Sequence, residues 1–335
     1  HAFLHPIKKR SNLTVLTHAQ VKRLTISGGR ATGVDFWIDG AEAHAVAAKE
    51  VVLAAGAVGS PQILQLSGIG PGRLLQENGI QVVRDLPGVG ENLQDHLQIR
   101  AVYKLKNAKT LNERANSLMG KVGMGLEYFL FKRGPMTMAP SQLGVFTKSD
   151  EHLETPNLQY HVQPLSLDKF GEPLHPFPAI TASVCNLRPE SRGYIRITSP
   201  DPRSKPAIKP NYLTADTDRQ IAANALKLTR KIISSPAMSK YEPEEYLPGP
   251  TVASDEDLTH AAGDIATTIF HPVGTCKMGS DDFAVVNNRL CLHGISGVRI
   301  ADASIMPTIT SGNTNSPTIM IAEKAAAMIK QDAVA

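Results

Sequence analysis

The segment FHPVGTCKMG, residues 270–279, sets His271 between Phe270 and Pro272 and ahead of two glycines, Gly274 and Gly279. A neutral imidazole accepts a proton near pH 7, so His271 is a candidate general base. The adjoining sequence offers it neither a second histidine nor a carboxylate, so any partner must come from elsewhere in the fold. Other chemistries are excluded by spacing. A serine hydrolase needs G-x-S-x-G. GISGV at 294–298 places Ser296 directly before Gly297, and VGSPQ at 58–62 lacks the second glycine. His271 with Cys276, and Asp95 with His96, lack the HxxxH or CxxC spacing that aims two ligands at one ion, so no metal site is expected. There is no phosphate loop of the form GxxxxGK[ST] and no GxGxxG; GIGPG at 68–72 and GVGEN at 88–92 only approach the latter.

The elements that must position His271 come from the rest of the chain. At 335 residues about two domains are expected, at ~150 residues each. With 42% hydrophobic and 20% charged residues the chain can fill a globular core. The net charge of +4 is small, and the densest basic run, IKKR at 7–10, reads as a solvated turn, so no nucleic-acid partner is expected. VVLAAGAVG at 51–59 falls short of the ~18 apolar residues of a membrane span. Three cysteines without a CxxC pair suggest free thiols in a reducing compartment, the cytoplasm.

Residues 12–27, 31–39 and 49–56 read as strands, the last ending at Gly56, where backbone can approach a ligand. Ser60 as N-cap and Pro61 at N1 predict a helix closed by Gly68; Pro71 opens another that stops at Asn78-Gly79. In the middle, residues 96–105, 157–165, 179–187 and 193–200 look like strands of one open antiparallel sheet. Helices are expected over 114–131 and 216–233; in the latter, Ile221, Ala225, Leu226, Leu228 and Ile232 recur at helical spacing. Residues 298–307 form a strand running into Asp302-Ala303-Ser304. A closing helix over 316–330 has Ser316 as N-cap and Pro317 at N1, and its N-terminus can accept an anion or dipole. The outer segments, 1–97 and 265–335, belong together as an α/β nucleotide-type domain, with a substrate domain at 98–264 inserted between them.

Six blocks now stand in order: GAVGSPQILQLSGIG (56–70), LPGVGENLQDHL (86–97), SRGYIRITSPDP (191–202), FHPVGTCKMG, VRIADASIMP (298–307) and SGNTNSPTIMIAEKAA (311–326). Together they extend over nearly the whole chain, which resembles the glucose–methanol–choline (GMC) flavin oxidoreductases and is most similar to the choline dehydrogenase-like bacterial members. The resemblance implies an FAD-binding Rossmann-like domain with an inserted domain of antiparallel sheet plus helices. It implies FAD-dependent oxidation of a primary alcohol to an aldehyde, with hydride passing to flavin N5 and a quinone-type acceptor or oxygen taking the electrons. His271 matches the family's catalytic histidine. Asn313 matches the second member of the catalytic pair, whose amide NH2 can donate to a developing alkoxide. On the substrate side the resemblance points to Gln142, His161 and Phe270, although His161 is equally an inward-facing strand histidine. It assigns FAD contacts to Val21 (main chain to adenine), Asp302, Ala303, Asn315, Pro317 and Thr318.

Two departures shape the expectation. The family's first strand, with the GxGxxG loop that cradles the FAD pyrophosphate, is absent. The chain is therefore expected to be the C-terminal part of a flavoenzyme, completed by a preceding segment or a separate chain. The alternative is a truncated or degenerate non-catalytic product. Second, choline-type members usually carry glutamate where this chain has Gln142. Aromatic residues make up 5% of the chain and its single tryptophan, Trp37, lies in the early strand region, so a cage for a quaternary ammonium is not evident. A neutral alcohol is expected over choline.

Overall fold

The computed structural model describes residues 2–139, 141–169 and 171–333. Strands Ala19–Ser27, Arg30–Ile38 and Ala41–Val46 form an antiparallel meander. Gly28 and Gly29 turn its first hairpin with φ of +57° and +73°, values that both central residues of such a tight turn require. The strand expected from residue 12 begins only at Ala19, which faces Ile38, the last residue its partner strand offers. Strand Val51–Leu53 pairs in parallel with Val298–Ile300, joining the two ends of the chain.

Helix Gly56–Leu66 starts earlier than its sequence signals suggest: Ser60 and Pro61 lie inside it rather than at its N-cap and first turn. Two long-range contacts override the local ones. Asp302 Oδ2 accepts from Gly56 N at 2.9 Å and from Ser60 Oγ at 2.6 Å, capping the helix from 242 positions away. Pro61 has no N–H to offer the Ala57 carbonyl one turn back. The hydroxyl of fully buried Thr275 takes its place, donating to Ala57 O at 2.6 Å.

The central sheet has six antiparallel strands in the order Glu244–Leu247, Leu97–Lys104, Ala179–Asn186, Leu158–Gln163, Leu143–Thr147, with Ala266–Thr268 also on Leu97–Lys104. Residues 193–200 do not join it. Tyr194–Arg196 pairs with Ala207–Lys209 instead, because its main chain is already engaged. Ile195 N donates to Gly90 O, and the buried Gln65 amide clamps Ile195 O and Ile197 N at 3.0 and 2.9 Å. The expected helix over 114–131 is broken at Ser117, whose extended backbone and Oγ cap the helix Leu118–Phe131.

Register sorts the sheet into two faces. Ile99, Ala101, Tyr103, Leu158, Tyr160 and Val184 lie on one, packed with helices Asp216–Ile233 and Asp255–Ile265 in an apolar core. Gln98, Arg100, Ser183, Gln159, His161 and Gln163 line the other. A second core gathers residues from both ends of the chain, among them Leu24, Leu64, Val89, Val273, Ile300 and Ile321. Cys185 and Cys276 are buried and Cys291 half-buried, all as free thiols. Among the described residues no helix is long and apolar enough to cross a membrane.

Thr275→Val keeps the shape of the side chain but leaves the Ala57 carbonyl buried without a donor. A loss of ~1–3 kcal/mol of stability is expected, the cost of one orphaned buried acceptor. Denaturant midpoints at unchanged slope measure it; an unchanged midpoint would show that the Pro61 position needs no such donor.

Candidate active site

Residues 94–96 run beside the loop that carries His271. Gln94 and Val273 exchange main-chain hydrogen bonds at 3.1 and 2.9 Å, and Ile269 N donates to His96 O. Between them lies Asp95, only 6% exposed. Its Oδ1 accepts from His271 N at 2.8 Å, and its Oδ2 accepts from the hydroxyls of Tyr212 and Thr268. Burial first, then the Asp95 charge, holds the Tyr212 phenol well above its ordinary pKa, so it remains a donor. Thr268, its own proton given to Asp95, accepts from Phe270 N at 2.8 Å. These bonds hold Phe270 at φ +64°, a left-handed conformation that costs a bulky residue about 1–3 kcal/mol. The strain is local to the turn that presents His271.

The side chains then meet in a row. His96, fully buried, has Nε2 3.1 Å from Leu187 O and Nδ1 3.1 Å from His271 Nδ1, the two rings edge-on at 83°. On its other side, His271 Nε2 lies 3.5 Å from Asn313 Nδ2. Asn313 Oδ1 in turn accepts from Gln159 Nε2 at 3.1 Å, which turns the Asn313 NH2 toward the imidazole. Burial pushes His96 down to about 4, against a smaller opposing effect from the Leu187 carbonyl, so it is neutral at pH 7. Burial also lowers His271, with Asp95 opposing it. His161, lowered by burial and then by His271, feels the same cluster, and its buried Nε2 has no hydrogen-bond partner among the described residues.

The structure thus brings His271 and Asn313 together, with His161 beside them. Phe270 precedes His271 but is 67% exposed. Gln142 is exposed next to edge strand Leu143–Thr147, held by its N–H to Val162 O at 3.1 Å. Among the described residues its side chain is not part of the hydrogen-bonded row. Strand alternation does place it on the same sheet face as Gly144, which pairs with His161.

The residues assigned to FAD fall at two places. Val21 sits in the meander just before a bulge in its pairing with Arg30–Ile38. Asp302 and Ala303 follow the parallel strand Val298–Ile300, and Asn315, Pro317 and Thr318 form the first turn of helix Asn315–Asp332. That helix begins with Thr314 as N-cap, not Ser316, because Thr318 N already donates to Thr314 O. Asp302 gives its carboxylate to Gly56 N, Ser60 Oγ and Ser304 N. What it can offer a cofactor is therefore main chain. Gly56 has φ +77° and open space where a Cβ would stand, at the carboxyl end of the parallel pair. Just beyond Asn313, the first turn of helix Asn315–Asp332 exposes main-chain N–H groups that have no helical acceptor. Carboxyl strand ends together with an open helix N-terminus suit a dinucleotide, so the residues present fit FAD.

Sequence reasoning missed Asp95, His96, Tyr212 and Gln159. Asp95 and His96 were visible as a poor metal pair and as part of the block at 86–97, neither of which names their real target, His271, 176 and 175 positions away.

Residues 1–98 and 189–322 match the GMC oxidoreductase family, to which this chain belongs. It is 41% identical over 329 residues to the oxygen-dependent choline dehydrogenase of Pectobacterium atrosepticum, covering 98% of this chain and 59% of that protein. Pyridoxine 4-oxidase from Mesorbium loti superposes with a TM-score of 0.85 at 28% identity, covering 98% of this chain and 60% of that one. Formate oxidase from Aspergillus oryzae RIB40, in a structure concerned with FAD modification, gives 0.90 at 25%, covering 97% and 62%. The chain therefore spans about three fifths of the relatives it matches.

His271 must be neutral to accept a proton, and burial lowers its pKa below the ordinary 6.5. Activity should be present above that lowered pKa and fall as pH drops through it. A pH profile of kcat/KM, which reports the free enzyme, should show its acid limb centred below 6.5. A midpoint at or above that value would contradict the burial seen here.

Proposed function

We propose that the protein carrying this chain oxidises a primary alcohol to an aldehyde, with His271 as the base and FAD as cofactor. The observation that carries this reading is the approach of His271 Nε2 and Asn313 Nδ2 to 3.5 Å, both held from behind by buried partners. A hydroxyl set against this pair can donate its proton to the imidazole while accepting from the amide. As the alkoxide develops, the amide NH2 gains a stronger acceptor without moving. FAD, when bound, supplies the two-electron acceptor for the hydride that leaves the alcohol carbon. The main-chain groups at 302–303 and the first turn of helix Asn315–Asp332 would hold it, with Val21 toward the adenine. The name of the Pectobacterium relative favours oxygen over a quinone as final acceptor.

In the complete flavin-loaded protein, His271→Ala should slow flavin reduction by ~10²–10⁴-fold, the range for loss of a general base. Asn313→Ala should slow the same step while leaving the acid limb of its pH profile in place, since an amide does not titrate. Anaerobic stopped-flow reduction reads both. An unchanged rate in His271→Ala would sink the assignment.

The substrate we propose is a neutral alcohol, even though the Pectobacterium relative is named for choline. A quaternary ammonium needs a counter-charge or an aromatic cage. The side chains in the row are imidazoles and amides, and the Asp95 carboxylate is already committed to three donors. By the family resemblance, Gln142 stands where choline-type members usually carry glutamate. The comparison to make is kcat/KM for choline against its neutral isostere 3,3-dimethylbutanol, in native protein and in Gln142→Glu. The isostere should be preferred, and Gln142→Glu should move the ratio toward choline. A tenfold native preference for choline would overturn this.

A further inference from the structure

We propose that His96 is a positioning residue that fixes the tautomer of His271, placing the lone pair on Nε2 where the alcohol binds; this rests on reading His271 as the base. The argument is one of donors and acceptors. The Leu187 carbonyl can only accept, so His96 Nε2, 3.1 Å away, carries a hydrogen and donates it. Neutral imidazole has a single N–H, which leaves His96 Nδ1 as a lone pair. The 3.1 Å contact between the two Nδ1 atoms needs one hydrogen, and only His271 can supply it. A neutral His271 protonated at Nδ1 has its lone pair at Nε2, the nitrogen that faces the Asn313 NH2.

The row then closes without conflict from one end to the other. Gln159 donates to Asn313, Asn313 to His271, His271 to His96, and His96 to the Leu187 carbonyl. Reversing the His271 tautomer would set two lone pairs against each other at Nδ1 and two hydrogens against each other at Nε2. The clash at Nδ1 falls against the fully buried His96 ring, where unmatched polar groups are costly; the one at Nε2 lies at exposed Asn313 and adds to it.

His96 is not a proton relay. Its far side meets a carbonyl that cannot take a proton, and its complete burial disfavours the imidazolium. The proton taken from the alcohol therefore stays on His271, whose other titratable neighbours among the described residues are His161, on the sheet face, and Asp95, at its main chain. An imidazole without a fixed acceptor at Nδ1 is free to carry its hydrogen on Nε2, and in that form it cannot act as a base toward the alcohol. In a catalytic triad, an imidazole held in the wrong tautomer loses ~10⁴-fold in rate.

The test uses the complete flavin-loaded protein labelled with ¹⁵N-histidine, read by long-range ¹H–¹⁵N spectra, with His271→Ala assigning the ring. Native His271 should be protonated at Nδ1 and bare at Nε2 at neutral pH. His96→Phe, which keeps bulk but removes the acceptor, should populate the Nε2–H form and slow flavin reduction by ~10²–10⁴-fold. His96→Asn, whose amide oxygen takes the place of Nδ1, should keep the Nδ1–H form and recover at least ~10-fold of that loss. Native His271 protonated at Nε2 overturns the proposal, whatever the variants do. So does a His96→Phe protein that keeps Nδ1–H. If no alcohol reduces the flavin of the native protein, the alcohol-oxidase reading fails, while the spectra still decide the tautomer.

Discussion

Two adjacent buried side chains, Asp95 and His96, hold one loop by two different handles. Asp95 fixes the main chain of His271, and His96 fixes its ring. A carboxylate this deeply buried persists only if donors surround it, and three of them do. Two of those donors, Thr268 at the end of the strand that leads into the loop and the His271 N–H within it, come from this one segment, so satisfying the charge and shaping the loop are the same act. The left-handed Phe270 backbone is the local cost. Both anchors lead directly into strand Leu97–Lys104, whose apolar face is packed under helices Asp216–Ile233 and Asp255–Ile265. Core packing on one side of the sheet thereby sets the position of His271 on the other.

The loop is equally bound to the parallel strands. Beyond His271, Gly274 N donates to Ala303 O, Cys276 N to Ser304 O and Met278 N to Ile305 O, a short ladder against the turn that follows Val298–Ile300. Gly274 has φ +92°, and a Cβ there would stand 2.6 Å from Asn92 O, so only glycine allows this approach. Thr275 then reaches Ala57, and Asp302 reaches Gly56 and Ser60. One continuous set of bonds runs from the start of helix Gly56–Leu66, through the turn at 302–305, to the loop that carries His271. That coupling is what keeps His271 in register with the main-chain groups proposed to hold the flavin.

Much of this was legible in the sequence, and what was not has a common cause. His271 and Asn313 could be singled out because each sits in a block that resembles the family's, and the fold brings the two within 3.5 Å. The helix over 216–233 announced itself by apolar spacing alone. Misplaced elements were those whose local signals lose to distant partners. Ser60-Pro61 reads as a helix start until Asp302 caps Gly56 and Thr275 replaces the missing donor. Residues 193–200 alternate like a sheet strand, yet the Gln65 side chain occupies their main chain. His96 escaped notice because a histidine beside an aspartate signals a ligand pair before it signals a partner for another histidine. Nothing in its neighbourhood names Leu187 or His271, and only the folded chain brings those groups within 3.1 Å.

The central claim is that a neutral imidazole at position 271 takes the alcohol proton. Chemical rescue tests it most directly. In flavin-loaded His271→Gly, added imidazole is free to occupy the site between Asn313 and His96. The rate of anaerobic flavin reduction should rise with imidazole concentration, in proportion to its neutral fraction as pH is varied. A rescue that follows the imidazolium instead, or a variant that reduces flavin at the native rate without any added base, would contradict the account.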